Sequence, residues 1–532
     1  MIVFSHQIQD VQVEYDVCIV GAGAAGISLA LEFTAVSSRI CLVEAGGFGY
    51  DKNVQRLFEG SADGEFYPQL RDTRLGAFGG TTNVWAGWCR PLDEADFQGR
   101  SSEIEEGWPF DREELVPFYR RAHGVCGLGE FEYDPEYWEH KLGASRFAIE
   151  DERIVHRMFY INALNFGDRY RRQFEQSRNI YVLLHAPAVR CHFDDTRRRV
   201  KSLEVLTLTG NQTFIKARYF VLAAGGIENA RLLLVSGKFP FQAVGNGSGL
   251  VGHYFTDHAF LDFGLLILKD KTCNLDYYFP QPVERTDGSS RVRGTISLSE
   301  TFVKHEKLQN GAIFFHPRYE SHLVFCSKEV KALLRVWDKL RHRAVPGDVG
   351  LPLARAIGAP GKIGMALARR FLVHGGSSRT WLLRGMFETE SRYDNRVTLS
   401  SECDQLNRPR PHIKWNLSDR DLSDMRRVVH CIDEAFRRAG IGQIQLAFPD
   451  TPSAWRHGIE VGKHHMGTTR MHPAPRHGVV DENAKVHGVS NLFVTGSSVF
   501  PKGGYANPTL TIVALAIRLG DHLKRVMSDL TN

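Results

Sequence analysis

Residues 15–47 read YDVCIVGAGAAGISLALEFTAVSSRICLVEAGG, and this stretch decides the fold. Residues 15–20 form a short apolar run rich in β-branched side chains. Gly21, Gly23 and Gly26 follow at GxGxxG spacing, with Ala24 among them. An amphipathic segment then runs to about Val36, and residues 39–47 restore a strand. The order strand, loop, helix, strand suits one βαβ unit. Gly21 permits the tight turn, Gly23 lets backbone approach a pyrophosphate, and Gly26 lets the helix pack close on the strand. Glu44 ends the second strand, 18 residues past Gly26. A carboxylate at that point accepts hydrogen bonds from ribose hydroxyls. It disfavours a 2′-phosphate and so NADP. The motif by itself leaves NAD and FAD both open.

Outward from this unit, residues 179–225 read as further strands, with antiparallel hairpins feeding a parallel strand. From about 260 to 460 short strand candidates recur (DFGLLILKD, RVRGTISLS, GAIFFHP, WLLRGMFETE, RVTLSS, HIKWN), as in a mixed or antiparallel sheet. Residues 328–341 and 418–439 have helical periodicity, the second opening on Ser418 as N-cap and stopping at Gly440. The last apolar stretch is an amphipathic helix with Pro508 near its start. The fold class is α/β: a discontinuous nucleotide domain (1–100, 179–258 and 461–532), a connecting or lid segment (101–178), and an inserted α+β substrate domain (259–460).

The 532 residues are 43% hydrophobic and 24% charged, the composition of an ordinary globular protein. A net charge of +5 without a Lys/Arg stripe argues against nucleic acid. The fifty glycines concentrate in a few loops, which suits close approach of backbone to a ligand. Nine cysteines without a CxxC pair fit free thiols in a reducing compartment. The N-terminus MIVFSHQIQDVQVEYD has neither a basic n-region nor an apolar h-region, and no stretch is apolar enough to span a membrane. The expected location is cytoplasmic. No His, Cys and carboxylate set has metal-ligand spacing, so no metal is expected. The basic, small-residue-rich stretch 347–374 reads as a buried helix pair or a membrane-surface or partner-binding element. Residues 285–294 read as a turn or a loop over the site.

Seven ordered landmarks carry a resemblance: VGAGAAG at 20–26, FGGTTNVWAG at 78–87, GWPFDREELVPFY at 107–119, VLAAGGIENARLLL at 221–234, GLVGHYFTDH at 249–258, HHMGTTRM at 464–471 and NLFVTGSSVFPKGGYANPTLT at 491–511. The chain resembles the glucose–methanol–choline (GMC) oxidoreductase family, in local pattern its pyranose-oxidase-like branch. The resemblance implies FAD rather than NAD, on a Rossmann-like domain of the GMC/p-hydroxybenzoate-hydroxylase type. It implies that Gly79, Gly80, Thr81 and Thr82 offer donors to pyrophosphate or ribityl oxygens, and that Asn83, Val84 and Trp85 lie against the isoalloxazine. Some relatives bind FAD covalently through a His of this loop. That position is Val84 here, so the expected attachment is non-covalent. Trp85 and Trp88 serve core packing equally well. Ala224, Gly225 and the backbone of Val189 are candidates for the adenosine half. Glu228 is a candidate there too, or a helix N-terminal acid. Gly496 and Ser497 resemble a second FAD loop. Many relatives carry Asp where Gly496 stands. The resemblance also implies that Pro508 and Thr509 approach the flavin pyrimidine by backbone.

The same resemblance selects His464, three residues before Gly467, as catalytic base, and Asn507 as the family's second, amide-bearing position. Oxidising an alcohol removes a proton from oxygen and a hydride from carbon. A neutral imidazole within hydrogen-bond reach can take that proton. The Asn507 amide donates to the substrate oxygen, and Asn also suits the start of the following helix. His465 points elsewhere if the backbone is extended and is a supporting or substrate-side candidate, with Trp85. The function implied is FAD-dependent oxidation of CH–OH to carbonyl on a sugar, glycoside or polyol, with O₂ or another electron acceptor. Alternatives are a hydrophobic or natural-product alcohol, or a flavin-binding scaffold without turnover.

Overall fold

The apolar runs become the strands of two large sheets. The computed structural model describes residues 2–4, 14–63, 67–99, 107–237, 247–270, 273–283, 290–316 and 380–529. Stretches 328–341 and 347–374, and residues 285–289 of the expected turn, lie outside the described residues.

The first sheet runs in the order Ile2–Phe4, Ile180–Leu184, Ile40–Val43, Glu14–Val20, Gln212–Leu222, Val200–Leu206, Ala188–Phe193. Leu492–Val494 also pairs with Gln212–Leu222, in parallel. The pairs on the nucleotide side are parallel, and Gln212–Leu222 turns antiparallel towards Val200–Leu206. Val17–Val20 and Ile40–Val43 are wholly buried, as parallel strands covered on both faces must be. The helix Thr509–Ser528 packs on Ala24–Leu31 and on Arg112–Cys126. Arg121 pairs with both Glu32 and Asp521 at this junction.

The second sheet is antiparallel, in the order Gly442–Leu446, Ala259–Leu268, Thr380–Phe387, Gly311–His316, Arg291–Leu298, Ile154–Ile161, Trp88–Cys89. Residues 291–294, part of the expected turn, are strand. The helix Asp419–Arg438 opens on a Ser418–Asp421 capping box, which satisfies two otherwise orphaned N–H groups.

The sheets cross the expected domain boundaries. Ile154–Ile161 belongs to the second sheet, so 101–178 is not simply a connector or lid. Within 259–460, Arg396–Cys403 and Pro409–Lys414 form a small third sheet with Ser61–Asp63. Arg231, from the helix Gly225–Val235, donates to Leu57 O, Pro409 O and Asp404. These buried bonds tie 396–414 to the nucleotide side, because a guanidinium this enclosed needs its donors paired.

A Cβ placed on Gly26 would stand 1.8 Å from Gly21 O. Overpacking of this kind costs about 1–3 kcal/mol and occasionally more. Gly26→Ala is therefore expected to lower the unfolding temperature and to purify depleted of cofactor. Circular dichroism melts and visible absorbance check this, and an unchanged melt with full cofactor content would refute it.

Candidate active site

One cavity of about 1380 Å³ runs between the two large sheets, and its lining draws on both. Its size exceeds the roughly 300–1,000 Å³ of common ligand pockets, leaving room for a dinucleotide and a substrate together. At one end stand Gly21, Gly23, Ala24 and Glu44. The Glu44 carboxylate accepts from Ala22 N–H at 2.9 Å and Gly46 N–H at 3.0 Å. Burial raises its pKa to about 7, against the pull of these backbone donors. Gly26 does not line the cavity; it lies beneath the loop, in the packing role read from the motif.

The loop at 79–85 lies against the glycine loop. Gly79 N–H donates to Ala22 O at 2.8 Å, and a Cβ on Gly80 would stand 2.8 Å from Gly23 Cα. Gly80, Thr81, Thr82, Val84 and Trp85 line the cavity. Asn83 does not. Its amide donates to Phe78 O at 2.8 Å and accepts from Gly167 N–H at 3.2 Å. It braces the turn from behind, which corrects its expected place against the flavin ring. Trp85 lines the cavity while its indole N–H holds Leu164 O at 3.0 Å.

Ala224 and Gly225 line the cavity, as do Pro187 and Ala188. Val189, expected to approach by its backbone, does not line the cavity; its side chain packs with Leu57 and Leu406. Gly496, Ser497, Pro508 and Thr509 all line the cavity. Glu228 lines it too, bonded to Arg74 at 2.7 Å. Burial would raise its pKa, but Arg231, Arg74 and Arg408 hold it at about 2.

In the same lining His464 and Asn507 meet, with 3.3 Å between His464 Nε2 and Asn507 Nδ2. They come from residues 43 apart in the chain. His464 is enclosed by protein except where it borders the cavity. Burial, then the neighbouring His258 and His465, push its pKa well below the usual imidazole range. It is therefore neutral at physiological pH, as a base must be. His465 also borders the cavity, but its ring packs against Phe255 and Tyr67.

Sequence reasoning missed the residues behind this pair. Asp257 is fully buried and accepts from the N–H groups of His258 and His464, both at 2.8 Å, and from Tyr67 O–H at 2.7 Å. Burial raises the Asp257 pKa to about 7, opposed by those donors. Asn229, also fully buried, accepts from Ala224 N–H and donates to Ser498 Oγ, joining two cavity loops. The signal lay in TDH at 256–258 and IEN at 227–229, polar residues inside otherwise apolar landmarks.

The residues present fit FAD. Asn507 Oδ1 and His465 Nε2 are buried polar atoms of the cavity wall with no protein partner among the described residues. Such atoms call for a ligand or water. The N–H groups of the glycine loop and of the start of the helix Ala24–Leu31 as donors, with the Glu44 carboxylate as acceptor, are the polar set of a dinucleotide site. Among the described residues no cluster of His, Cys, Asp or Glu could hold a metal, and no helix is long and apolar enough to cross a membrane.

A raised Glu44 pKa means that a proton sits on the apo-protein's carboxyl below about pH 7. Ribose hydroxyls donate best to the ionised form, so that proton must leave on binding. FAD affinity is expected to fall as pH drops below 7, by up to about tenfold per unit. Glu44→Gln is expected to weaken binding and remove this dependence. Titrating apo-protein with FAD by flavin fluorescence at pH 5–8 checks both, and parallel pH profiles for the two proteins would refute the assignment.

A family model described as GMC oxidoreductase matches residues 390–516. The 2-methyl-1,2-propanediol dehydrogenase of Mycolicibacterium austroafricanum is 24% identical over 97% of this chain and 96% of its own. The pyranose 2-oxidase of Emericella nidulans is 29% identical over 27% of this chain and 25% of its own. Among solved structures, a formate oxidase of Aspergillus oryzae superposes with a TM-score of 0.58 at 18% identity, over 98% of this chain and 100% of its own. Fold, cavity and these likenesses agree: residues 390–516 carry a GMC oxidoreductase domain, and the chain is an FAD-dependent enzyme acting on CH–OH donors.

Proposed function

We propose that the enzyme oxidises a hydroxyl of a sugar, glycoside or related polyol to a carbonyl, with His464 as base. The observation that carries this is the 3.3 Å pairing of His464 Nε2 with Asn507 Nδ2 at the edge of the cavity. A hydroxyl oxygen seated to one side of this contact, within hydrogen-bond reach of both atoms, donates its proton to Nε2 and accepts from the amide. FAD, when bound, supplies the hydride acceptor at its N5. The alcohol then loses H⁺ to His464 and H⁻ from its carbon, two electrons in all. Val84, where a covalent tether would need a nucleophile, supports non-covalent FAD. The pyranose 2-oxidase likeness supports the sugar class.

The wall next to the pair suits a ligand with apolar faces and polar edges. Phe260 stands edge-on to His464, with ring centroids 6.0 Å apart. Trp88 and Phe314 meet at 4.8 Å, and Arg384 and His316 add polar groups. A flavin-binding scaffold without turnover has no use for a neutral imidazole facing an amide.

An anaerobic panel of pyranoses, glycosides, polyols and aryl alcohols, read by bleaching of the flavin band, tests the substrate class. Bleaching is expected from the first three. His464→Ala is expected to keep its FAD and to bleach about 10²–10⁴-fold more slowly, the usual worth of a general base. An unimpaired His464→Ala protein would sink the base assignment. Bleaching by aryl alcohols alone would sink the sugar class.

A further inference from the structure

His258 lies behind His464, outside the cavity wall, and the two imidazoles meet through Nδ1 and Nδ1 at 2.9 Å. The rings stand nearly perpendicular, 83° apart with centroids at 5.0 Å. A contact between two like nitrogens is a hydrogen bond only if one carries hydrogen and the other a lone pair. The other edge of His258 decides which. Its Nε2 lies 2.8 Å from Gly504 O. A carbonyl oxygen only accepts, so Nε2 carries the hydrogen. Burial pushes the His258 pKa down to about 4, so the ring holds a single proton at working pH. Its Nδ1 is therefore the lone pair, and His464 Nδ1 must be the donor. A neutral His464 with hydrogen on Nδ1 has its own lone pair on Nε2, the atom that faces Asn507.

We propose that His258 is a positioning residue that fixes the tautomer of His464, through the chain Gly504 O, His258, His464. This inference deepens the proposed role of His464 as base and rests on it. In the other tautomer Nε2 would carry hydrogen and could not accept the substrate proton. After proton uptake, the imidazolium still donates from Nδ1 to His258, so the new charge keeps its partner. The two main chains are held for this encounter by one carboxylate, since Asp257 Oδ1 accepts from both His258 N–H and His464 N–H.

Three variants of the FAD-loaded enzyme separate this role from mere packing. His258→Asn can place its Oδ1 near the former Nδ1 and accept from His464. His258→Gln reaches towards Gly504 and offers no acceptor at that point. His258→Phe keeps the ring shape alone. The expected result is that Gln and Phe slow anaerobic flavin reduction at least about tenfold, short of the loss in His464→Ala, with the flavin spectrum and the substrate concentration for half-saturation nearly unchanged. Asn is expected to retain most of the rate. Equal rates for Asn and Gln would overturn the tautomer role, whatever becomes of Phe. A neutron structure of the unaltered enzyme gives a readout independent of turnover and of variant folding. It is expected to show hydrogen on His464 Nδ1 and on His258 Nε2, and none on His464 Nε2. Hydrogen found on His464 Nε2 instead would overturn the inference. An unimpaired His464→Ala would remove the base reading itself, whereas a slow His464→Ala beside three unimpaired His258 variants would remove only this one.

Discussion

A carboxyl group taken out of water must be met by hydrogen-bond partners. Asp257 meets this demand with main-chain N–H groups from two separate stretches and the hydroxyl of a third, Tyr67. The result is a clamp that joins residues 67, 257–258 and 463–464. It has a local cost. Lys463, immediately before the base, sits at φ +61, a left-handed conformation that non-glycine residues adopt only when their surroundings impose it. The lysine ammonium reaches Asp72 O at 3.0 Å, so the strained residue is held at both its backbone and its tip. The backbone that presents the His464 ring is fixed by this arrangement.

The rest of the cavity obeys the same logic of buried polar groups held by partners. Asn229 links the loop after Gln212–Leu222 to the loop after Leu492–Val494. Arg231 ties the third sheet to the helix that begins at Gly225. Removing one member of such a network leaves its partner unpaired, which costs more than the bond itself is worth. The loops around the cofactor are thereby fixed before any ligand arrives, and pre-organisation of this kind lowers the entropic cost of binding.

The first sheet was legible in the sequence wherever apolar runs ended on glycine. Residues 15–47 declared their strand, turn and helix through spacing alone, and Ser418 and Gly440 bracketed their helix correctly. His464 and Asn507 were legible only through resemblance, because nothing in their spacing brings positions 43 apart together. The expected partition into domains erred where a strand was separated from its sheet by long stretches of chain. Ile154–Ile161 pairs with Arg291–Leu298, a contact that no local pattern announces. Asn83 was misplaced by one step of side-chain direction, which the turn decides and sequence position does not. Asp257 and His258 stand inside the landmark 249–258, but a buried acid beside a histidine becomes readable only once its donors are known.

The parallel pairing of Leu492–Val494 with Gln212–Leu222 has a consequence for biosynthesis. The central strand of the nucleotide half gains this neighbour only after some 270 intervening residues have been made, and contacts of such long range are slow to close. On the ribosome the growing polypeptide holds that strand without its last partner until translation is nearly finished. A message cut short near its 3′ end therefore yields a chain that contains the whole glycine fingerprint and yet lacks the closing strand, leaving it a candidate for chaperone capture or degradation rather than a partly active enzyme.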